Sequence, residues 1–407
     1  MFKAITENMA EGMLGLVRDP LERAIRFGDD PDYETVPFPE KDLRFYKLTH
    51  DSMMGYRKVR AYLGWEPSGH LHWGNEVTAQ ILMCLENRYG VQPLFLNATE
   101  HAFLNNKGTR EQIAYYAEIL NDEIKKLFIS PEILYGSEFQ LSFDFNDQDS
   151  REDLLRKGKG LRSYKDYLFA GLRRIPKSEL DDAASEVVTP KSTGSAFIYS
   201  ALQWTDVRWL FENYDVWFDT GGSDQRKIHK LVWDYFPGLD WELPFAIHAP
   251  ILPSLSGRLV NGRIIKMSKS EDEEYTLYLD DTPELIEMKM KKAFCAPCSE
   301  TITEQGRPIG LNPVAELLRL VVSNHSKKIK VERPSKYGGD LEVEPMELWR
   351  MFNDSREDKK TDRYVHPVDF KDAVTNAMIN LTGKLGLPPR NVDEEKEIER
   401  LGMQNKI

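Results

Sequence analysis

Cysteine is scarce in this sequence, with three in 407 residues, Cys84, Cys295 and Cys298. That number excludes a disulfide framework of the kind that holds small secreted domains together. Long apolar runs are missing as well. None approaches the roughly 18 residues that a membrane span needs, so no membrane partner is expected. Met1 to Arg18 mixes charged with apolar residues and has no apolar signal-peptide centre, which points to a cytoplasmic protein. Positive charge is in deficit: 54 Lys and Arg against 66 Asp and Glu give a formal net charge of -12. Such a balance excludes a general coat for DNA or other nucleic acid, because that binding depends on neutralising phosphates. Two local basic clusters survive the deficit, Arg156, Lys157, Lys159, Arg162 and Lys165, then Lys327, Lys328, Lys330, Arg333 and Lys336. Each also fits a solvated charged face. There is no internal repeat and no low-complexity tract.

What is present is a globular composition, 41% hydrophobic, 11% aromatic and 29% charged, in a chain long enough for two or three domains. Residues 1–55 read as an acidic, helix-containing extension with a Pro- and Asp-rich loop from Asp29 to Pro39. Val59 to Trp65 is a short apolar run, broken by Glu66-Pro67-Ser68-Gly69, and apolar residues at helical spacing follow from Trp73 to Tyr89. Strand, tight turn and helix open a nucleotide-binding α/β unit. The alternation continues with strands at Pro93 to Ala98 and Ile133 to Tyr135 around a helix from Thr109 to Phe128. It resumes with a helix over Ser200 to Glu212, a strand over Val216 to Asp219, a helix over Asp224 to Tyr235 and a strand over Pro244 to Ile251. A Rossmann-like α/β domain with a parallel sheet over 56–253 is the natural solution. The charged stretch at about 141–195 reads as an insertion in it. A polar loop and linker over 254–276 leads to a mainly helical domain over 277–407. There, Asn312-Pro313 has the form of an N-cap with proline at the first helical position, and Asp369 to Leu385 carries apolar residues at helical spacing.

Two short segments carry chemistry. Pro67-Ser68-Gly69-His70-Leu71-His72-Trp73-Gly74-Asn75 lies where the first strand turns into the first helix, the place for a phosphate. Glycines let backbone approach a ligand, a helix N-terminus offers donors to an anion, and an imidazole can reach phosphate oxygens. Taken alone, such a histidine also serves as a cap or a packing residue. Lys266-Met267-Ser268-Lys269-Ser270 follows about 190 residues later in the polar loop. Its two lysines can neutralise charge that develops as pyrophosphate leaves.

His72-Trp73-Gly74-Asn75 resembles the HIGH signature of class I aminoacyl-tRNA synthetases, and Lys266 to Ser270 matches their KMSKS signature letter for letter. Asn75 stands where that signature has its second histidine, and an amide can donate a hydrogen bond but cannot become a cation. From about Val59 to Leu385 the chain resembles the tyrosyl-tRNA synthetases of the archaeal and eukaryotic type. The likeness rests on Tyr62-Leu63-Gly64-Trp65-Glu66-Pro67-Ser68-Gly69, on Gly136 to Gln140, on Tyr199 to Asp206 and on Gly221 to His229. At Thr99 the family usually has an aspartate.

The resemblance implies a reaction: ATP with Mg²⁺ is attacked at its α-phosphate by the carboxylate of L-tyrosine, and the aminoacyl group then passes to tRNA(Tyr). His72, Asn75, Lys266 and Lys269 are the catalytic candidates it implies, with Gly69, Gly74, Met267, Ser268 and Ser270 completing the ATP site. Tyr62 and Asp206 would hold the phenol hydroxyl, and Tyr199, Gln203 and Gln225 the α-amino group, with Gly64 and Glu66 beside them. Tyr199, Gln203 and Asp206 are four and three residues apart, so a helix puts them on one face. For tRNA, the resemblance points to Arg226 and Lys227 near the acceptor end and to Tyr337, His366, Pro367 and Asp369 near the anticodon. It also implies a homodimer. Cys295 and Cys298 form a CxxC without the further ligands that structural zinc requires, so no bound metal is expected. The rival readings are a tryptophan-tRNA ligase, which a hydroxyl-binding Asp206 and Tyr62 disfavour, and a paralogue that binds without aminoacylating.

Overall fold

The apolar run at the head of the nucleotide-binding pattern forms strand β1, Arg60–Trp65, and five of its six residues are buried. A strand covered on both faces needs neighbours on both edges, and it has them. In the computed structural model the sheet order is β3-β2-β1-β4-β5, with β2 at Gln92–Asn97, β3 at Glu132–Tyr135, β4 at Val216–Gly222 and β5 at Phe245–Ala249. The β1–β2, β2–β3 and β1–β4 pairs are parallel, Tyr62 standing opposite Leu94 on one side and Asp219 on the other. This is the expected Rossmann-like sheet. The strand order reverses between β1 and β4, where open α/β sheets bind ligands at the strands' carboxyl ends. The structure describes residues 43–128, 131–136, 140, 163–185, 194–235, 244–260, 262–269, 273–296, 301–304, 307–310, 312–354, 364–390, 393, 396–398 and 400. The expected extension up to residue 42, most of the first basic cluster, Ser137 to Phe139, Ser270 and Cys298 lie outside them.

Helix α1 is Leu43–Met53, α2 is Trp73–Tyr89, α3 is Thr99–Leu104 and α4 is Arg110–Leu127. Thr109 starts α4 with a full capping box, its hydroxyl accepting from Gln112 N while the Gln112 side chain accepts from Thr109 N. Helices α5, Tyr164–Arg174, and α6, Lys177–Ala184, fall inside the stretch read as an insertion. They bury Tyr164, Tyr167 and Leu168, and Leu180, Ala183 and Ala184, so this part of the stretch packs into the core. Helix α7, Gly194–Tyr214, starts six residues before the expected Ser200. Gly171 of α5 lets α7 approach closely, since a Cβ there would lie 2.8 Å from the Trp204 ring. A 3-10 turn over Ser223–Gln225 leads into α8, Arg226–Tyr235.

Beyond the sheet, the hairpin of β6, Leu259–Val260, and β7, Arg263–Ile264, precedes the lysine loop, and α9 is Pro283–Lys292. Strands β8, Thr301–Glu304, and β9, Arg307–Gly310, pair antiparallel, and then Asn312 caps α10, Pro313–Leu317, as expected, accepting from Val314 N and Ala315 N. Leu318–Val322 continues as a π-helical turn, which the spacing of apolar residues does not reveal. Strands β10, Ile329–Val331, and β11, Leu341–Val343, pair antiparallel before α11, Pro345–Asp354, and α12, Pro367–Leu385. The chain divides into two compact units: one holds 43–68 and 82–248, the other 69–81 and 249–393. The residues 69–81 thus fall with the later part of the chain.

Candidate active site

In the second unit, His72 occupies the N-cap of α2. Asn75 N donates to His72 O at 2.8 Å, and His72 N donates to the Asn75 side-chain oxygen at 3.1 Å. Asn75 therefore makes the reaching-back half of a capping box, its side chain accepting from the cap backbone. Leu277 to Tyr278 runs beside this turn: Trp73 N donates to Leu277 O at 3.0 Å, and His72 pairs with Tyr278 in an antiparallel bridge. His72 is buried, and its Nδ1 has no hydrogen-bond partner among the described residues. Burial first, then Lys269 and Lys266, lower its pKa to about 3, so the ring is neutral at pH 7.

The lysine loop lies against the same turn. Met267 is buried and its backbone N donates to Leu252 O at 2.8 Å, which anchors the loop between its two lysines. Lys266 is exposed, while the Lys269 ammonium donates to the Gly69 carbonyl. Two glycines allow this approach. Gly69 has a positive φ of 141°, and a Cβ there would lie 3.1 Å from Lys269 Cδ. A Cβ on Gly74 would lie 2.9 Å from His72 Nδ1 and 3.4 Å from the Met267 carbonyl. Gly69, His72, Gly74, Asn75, Lys266, Met267, Ser268 and Lys269 are thus brought together, cations and backbone around a neutral imidazole. Such an arrangement suits a polyphosphate.

In the first unit, a second constellation sits at the carboxyl ends of β1 and β4. Asp206 of α7 is fully buried. Its Oδ1 accepts from the Tyr164 hydroxyl at 2.6 Å and from Gln140 Nε2 at 2.7 Å. Its Oδ2 faces His101 Nε2 at 3.4 Å and has no hydrogen-bond partner among the described residues. Burial pushes the carboxyl up to about 7 against those two donors, and burial holds His101 down at about 4. The Tyr62 phenol is raised well above its usual range by burial and by Asp206 and Asp219. Its ring folds back over Gly64, where a Cβ would lie 2.7 Å from the hydroxyl.

The polar residues Glu66, Tyr199, Gln203 and Gln225 are bonded among themselves and to Asn105. Tyr199 donates to Glu66 Oε1 at 2.9 Å, Asn105 Nδ2 donates to both Glu66 oxygens at 3.1 and 3.3 Å, and Gln203 Nε2 donates to Gln225 Oε1 at 2.9 Å. Gln203 Oε1 is buried without a hydrogen-bond partner among the described residues. Sequence reasoning missed Gln140, Tyr164 and His101 as partners of Asp206. It also missed a buried chain behind them, His248 to His229 at 2.7 Å and His229 to Asp219 at 3.1 Å. Gln140 and His229 stand inside quoted motifs, which is the only signal they gave. A Cβ on Gly136 would collide with the Gln140 amide oxygen, so that glycine keeps Gln140 on Asp206.

The residues expected at tRNA are placed less uniformly. Arg226 is buried, 4% exposed, so its guanidinium does not stand on the surface as a reader of an acceptor stem requires. The reason is its position at the start of α8, an amphipathic helix packed on the sheet unit. Lys227 reaches Asp182 at 3.0 Å and Ser185 at 3.3 Å. In the second unit, Tyr337 lies 5.1 Å from the Tyr364 ring and Lys336 lies 4.8 Å over Tyr337. His366 caps α12, its Nδ1 accepting from Val368 N at 3.2 Å, and Pro367 takes the first helical position. Asp369 sits in the first turn, its Oδ2 buried without a hydrogen-bond partner among the described residues. Arg333, read as part of a basic cluster, is instead buried and donates to the Tyr364 carbonyl at 2.9 Å.

Comparison with known proteins gives these two constellations a context. The family model for class I tRNA synthetases (W and Y) matches residues 54–382. The chain belongs to that family. This synthetase is 34% identical over 327 residues to the tyrosine-tRNA ligase of Archaeoglobus fulgidus, an alignment covering 78% of this chain and 84% of the relative. It is 33% identical over 316 residues to that of Methanococcoides burtonii, covering 77% and 84%. The crystal structure of the A. fulgidus tyrosyl-tRNA synthetase complexed with L-tyrosine superposes with a TM-score of 0.64 at 29% identity, covering 90% of this chain and 98% of that one.

Proposed function

We propose that this synthetase ligates L-tyrosine to tRNA(Tyr) through a tyrosyl-adenylate, with ATP and Mg²⁺ as substrate. The observation that carries the reading is the buried Asp206 carboxylate. Two donors occupy its Oδ1 and leave Oδ2 to accept from a substrate hydroxyl. With the Tyr62 phenol beside it, this group fits a para-hydroxyl better than an indole edge, and both relatives described above are named tyrosine-tRNA ligases.

In this reading Glu66, Tyr199, Gln203 and Gln225 hold the α-ammonium, and Gly64 leaves room for the Tyr62 phenol that faces the substrate. The tyrosine carboxylate attacks the α-phosphorus of ATP, the bond to the pyrophosphate oxygen breaks, and the adenylate forms without a covalent enzyme intermediate. The turn at Gly69, Gly74 and Asn75 supplies backbone donors, neutral His72 donates to phosphate oxygen, and Lys266 and Lys269, with Ser268 and Ser270, neutralise the departing pyrophosphate. A terminal ribose hydroxyl of tRNA then takes the tyrosyl group and releases AMP. Lys227 serves the acceptor end, with Arg226 supporting it from below. Tyr337, His366, Pro367 and Asp369 serve the anticodon. A homodimer in the cytoplasm completes the reading; among the described residues no helix is long and apolar enough to cross a membrane. ATP–pyrophosphate exchange with tyrosine, with tryptophan and with no amino acid tests it. Exchange that depends on tyrosine supports it, exchange driven by tryptophan replaces it, and silence with all three favours a binding paralogue.

A further inference from the structure

Arg390 lies beyond the 54–382 region that the family model matches. It follows two exposed prolines, yet its own side chain is only 3% exposed. A guanidinium is withdrawn from water only where charge and hydrogen bonds replace its hydration. Here Arg390 pairs with the Glu273 carboxylate, lies 3.8 Å from Asp281 Oδ1, and stacks 4.2 Å over the Tyr278 ring.

Each of these partners belongs to a segment that holds a nucleotide signature. Glu273 opens the 3-10 turn Glu273–Tyr275 at the exit of the lysine loop, and Thr276 just after it donates to the Ser268 carbonyl at 3.0 Å. Tyr278 bridges His72, its neighbour Leu279 donates to the Leu71 carbonyl at 2.9 Å, and Asp281 accepts from Tyr278 N at 2.9 Å. Asp281 also takes the Lys289 ammonium at 2.7 and 2.9 Å. The cluster therefore contains two cations, Arg390 and Lys289, against two anions, Asp281 and Glu273. Lys289 and Tyr278 N stay on Asp281 when Arg390 is removed, so what is lost is the link between Glu273, at the exit of the lysine loop, and Tyr278, which bridges His72.

We propose that Arg390 is a positioning residue for adenylation: by gripping Glu273, Tyr278 and Asp281 together, the tail fixes the lysine loop against the His72 turn. The inference rests on the assignment of these segments to ATP. Because the grip touches neither Asp206 nor the residues around Glu66, its loss acts on ATP and leaves tyrosine alone.

Pyrophosphate exchange with Arg390→Ala, Arg390→Lys and Glu273→Gln, each at varied ATP and varied tyrosine, decides the matter. Arg390→Ala is expected to raise KM for ATP by about tenfold or more, the scale of a lost charge-assisted hydrogen bond, with KM for tyrosine within about twofold. Arg390→Lys should recover part of the loss, because it keeps the charge without the planar fork. Glu273→Gln, altered at a half-exposed carboxylate and so less prone to misfold, should shift KM for ATP in the same direction by less. An unchanged KM for ATP in Arg390→Ala, or KM values for both substrates rising together, overturns the proposal. Calorimetric titration of ATP alone into parent and Arg390→Ala proteins separates this from the functional reading. A parent that binds ATP but activates no amino acid sinks that reading, while the ratio of the two ATP affinities still decides the role of Arg390.

Discussion

Tyr164 donates its hydroxyl to Oδ1 of Asp206 at 2.6 Å, across 42 positions of sequence. The bond, with its companion from Gln140, fixes which carboxylate oxygen is left for the substrate. Tyr164→Phe removes one of two donors to a fully buried acceptor and should cost about 1 to 3 kcal/mol. Preference for tyrosine over phenylalanine in pyrophosphate exchange should fall, since Oδ2 is then no longer held in one place. Parent-like preference in a folded Tyr164→Phe protein would show that Asp206 is oriented by other means.

The high pKa of Asp206 gives a signed dependence of stability on pH. With the carboxyl at about 7 when folded and 3.8 as its ordinary value, the folded state holds a proton that the unfolded state has released between those limits. Stability therefore declines as pH rises through this window, by up to about 4 kcal/mol in total. His101, held at about 4, contributes the opposite slope up to about pH 6.5, and it does so in parent and variant alike. Asp206→Asn should gain on the parent steadily from pH 4 to pH 7 in denaturant titrations. A constant difference would mean that Asp206 is ionised throughout.

Lys269→Ala should lower the rate of tyrosine-dependent exchange by roughly two orders of magnitude, the scale of a preorganised charge removed from the transition state. Tyrosine affinity, read by equilibrium binding, should stay within about twofold. Because His72 titrates near 3, no limb of the exchange profile above pH 5 should belong to it. A limb near pH 6.5 that disappears in His72→Asn would contradict the neutral-imidazole role.

Asn75 accepts from the His72 backbone N through its side-chain oxygen, so its amide has a structural duty that an imidazole nitrogen can also perform. Asn75→His should leave exchange within about tenfold of the parent, a change of about 1.4 kcal/mol in the barrier. Asn75→Ala should destabilise the protein by about 1 kcal/mol, as loss of a cap does. An inactive parent rescued by Asn75→His would point instead to the non-aminoacylating alternative.

Asp369 presents a buried carboxylate oxygen near Tyr364, whose ring lies 5.1 Å from that of Tyr337, and guanine offers donors on its Watson–Crick edge. Asp369→Ala should weaken charging of tRNA with guanine at the first anticodon position by about 1 to 3 kcal/mol and leave tyrosine activation unchanged. Equal loss in both assays would make Asp369 a helix-start carboxylate only.

The parts of the site legible in the sequence are those built within one segment. The apolar run before Glu66-Pro67 and the helical spacing after Trp73 gave β1 and α2 with the turn between them, because strand burial and helix periodicity are both local. The face shared by Tyr199, Gln203 and Asp206 follows from helical spacing for the same reason. Tyr164 was hidden because its helix lies in a charged tract, where the apolar stripe is short and the partner, Asp206, is distant in sequence. Arg390 was hidden more completely: its prolines and charges read as a loose tail, and only the fold brings Glu273, Tyr278 and Asp281 to one place. Helix α7 begins earlier than its apolar spacing suggests, at Gly194, a residue of low helix propensity. Arg226 was misplaced because a motif fixes a residue's neighbours in sequence and leaves its exposure to packing.

Gly136 carries no side chain and makes no bond to Asp206, yet it governs what Asp206 can recognise. Any substituent at that position must displace the Gln140 amide, and Oδ1 of the carboxylate would then be left to the Tyr164 hydroxyl, a looser hold on which oxygen faces the substrate. A change of one methyl group would thus enlarge the range of aromatic amino acids that the pocket admits. Altering the amino acid this synthetase accepts is a matter of releasing a clamp from outside as much as of reshaping the walls that touch the substrate.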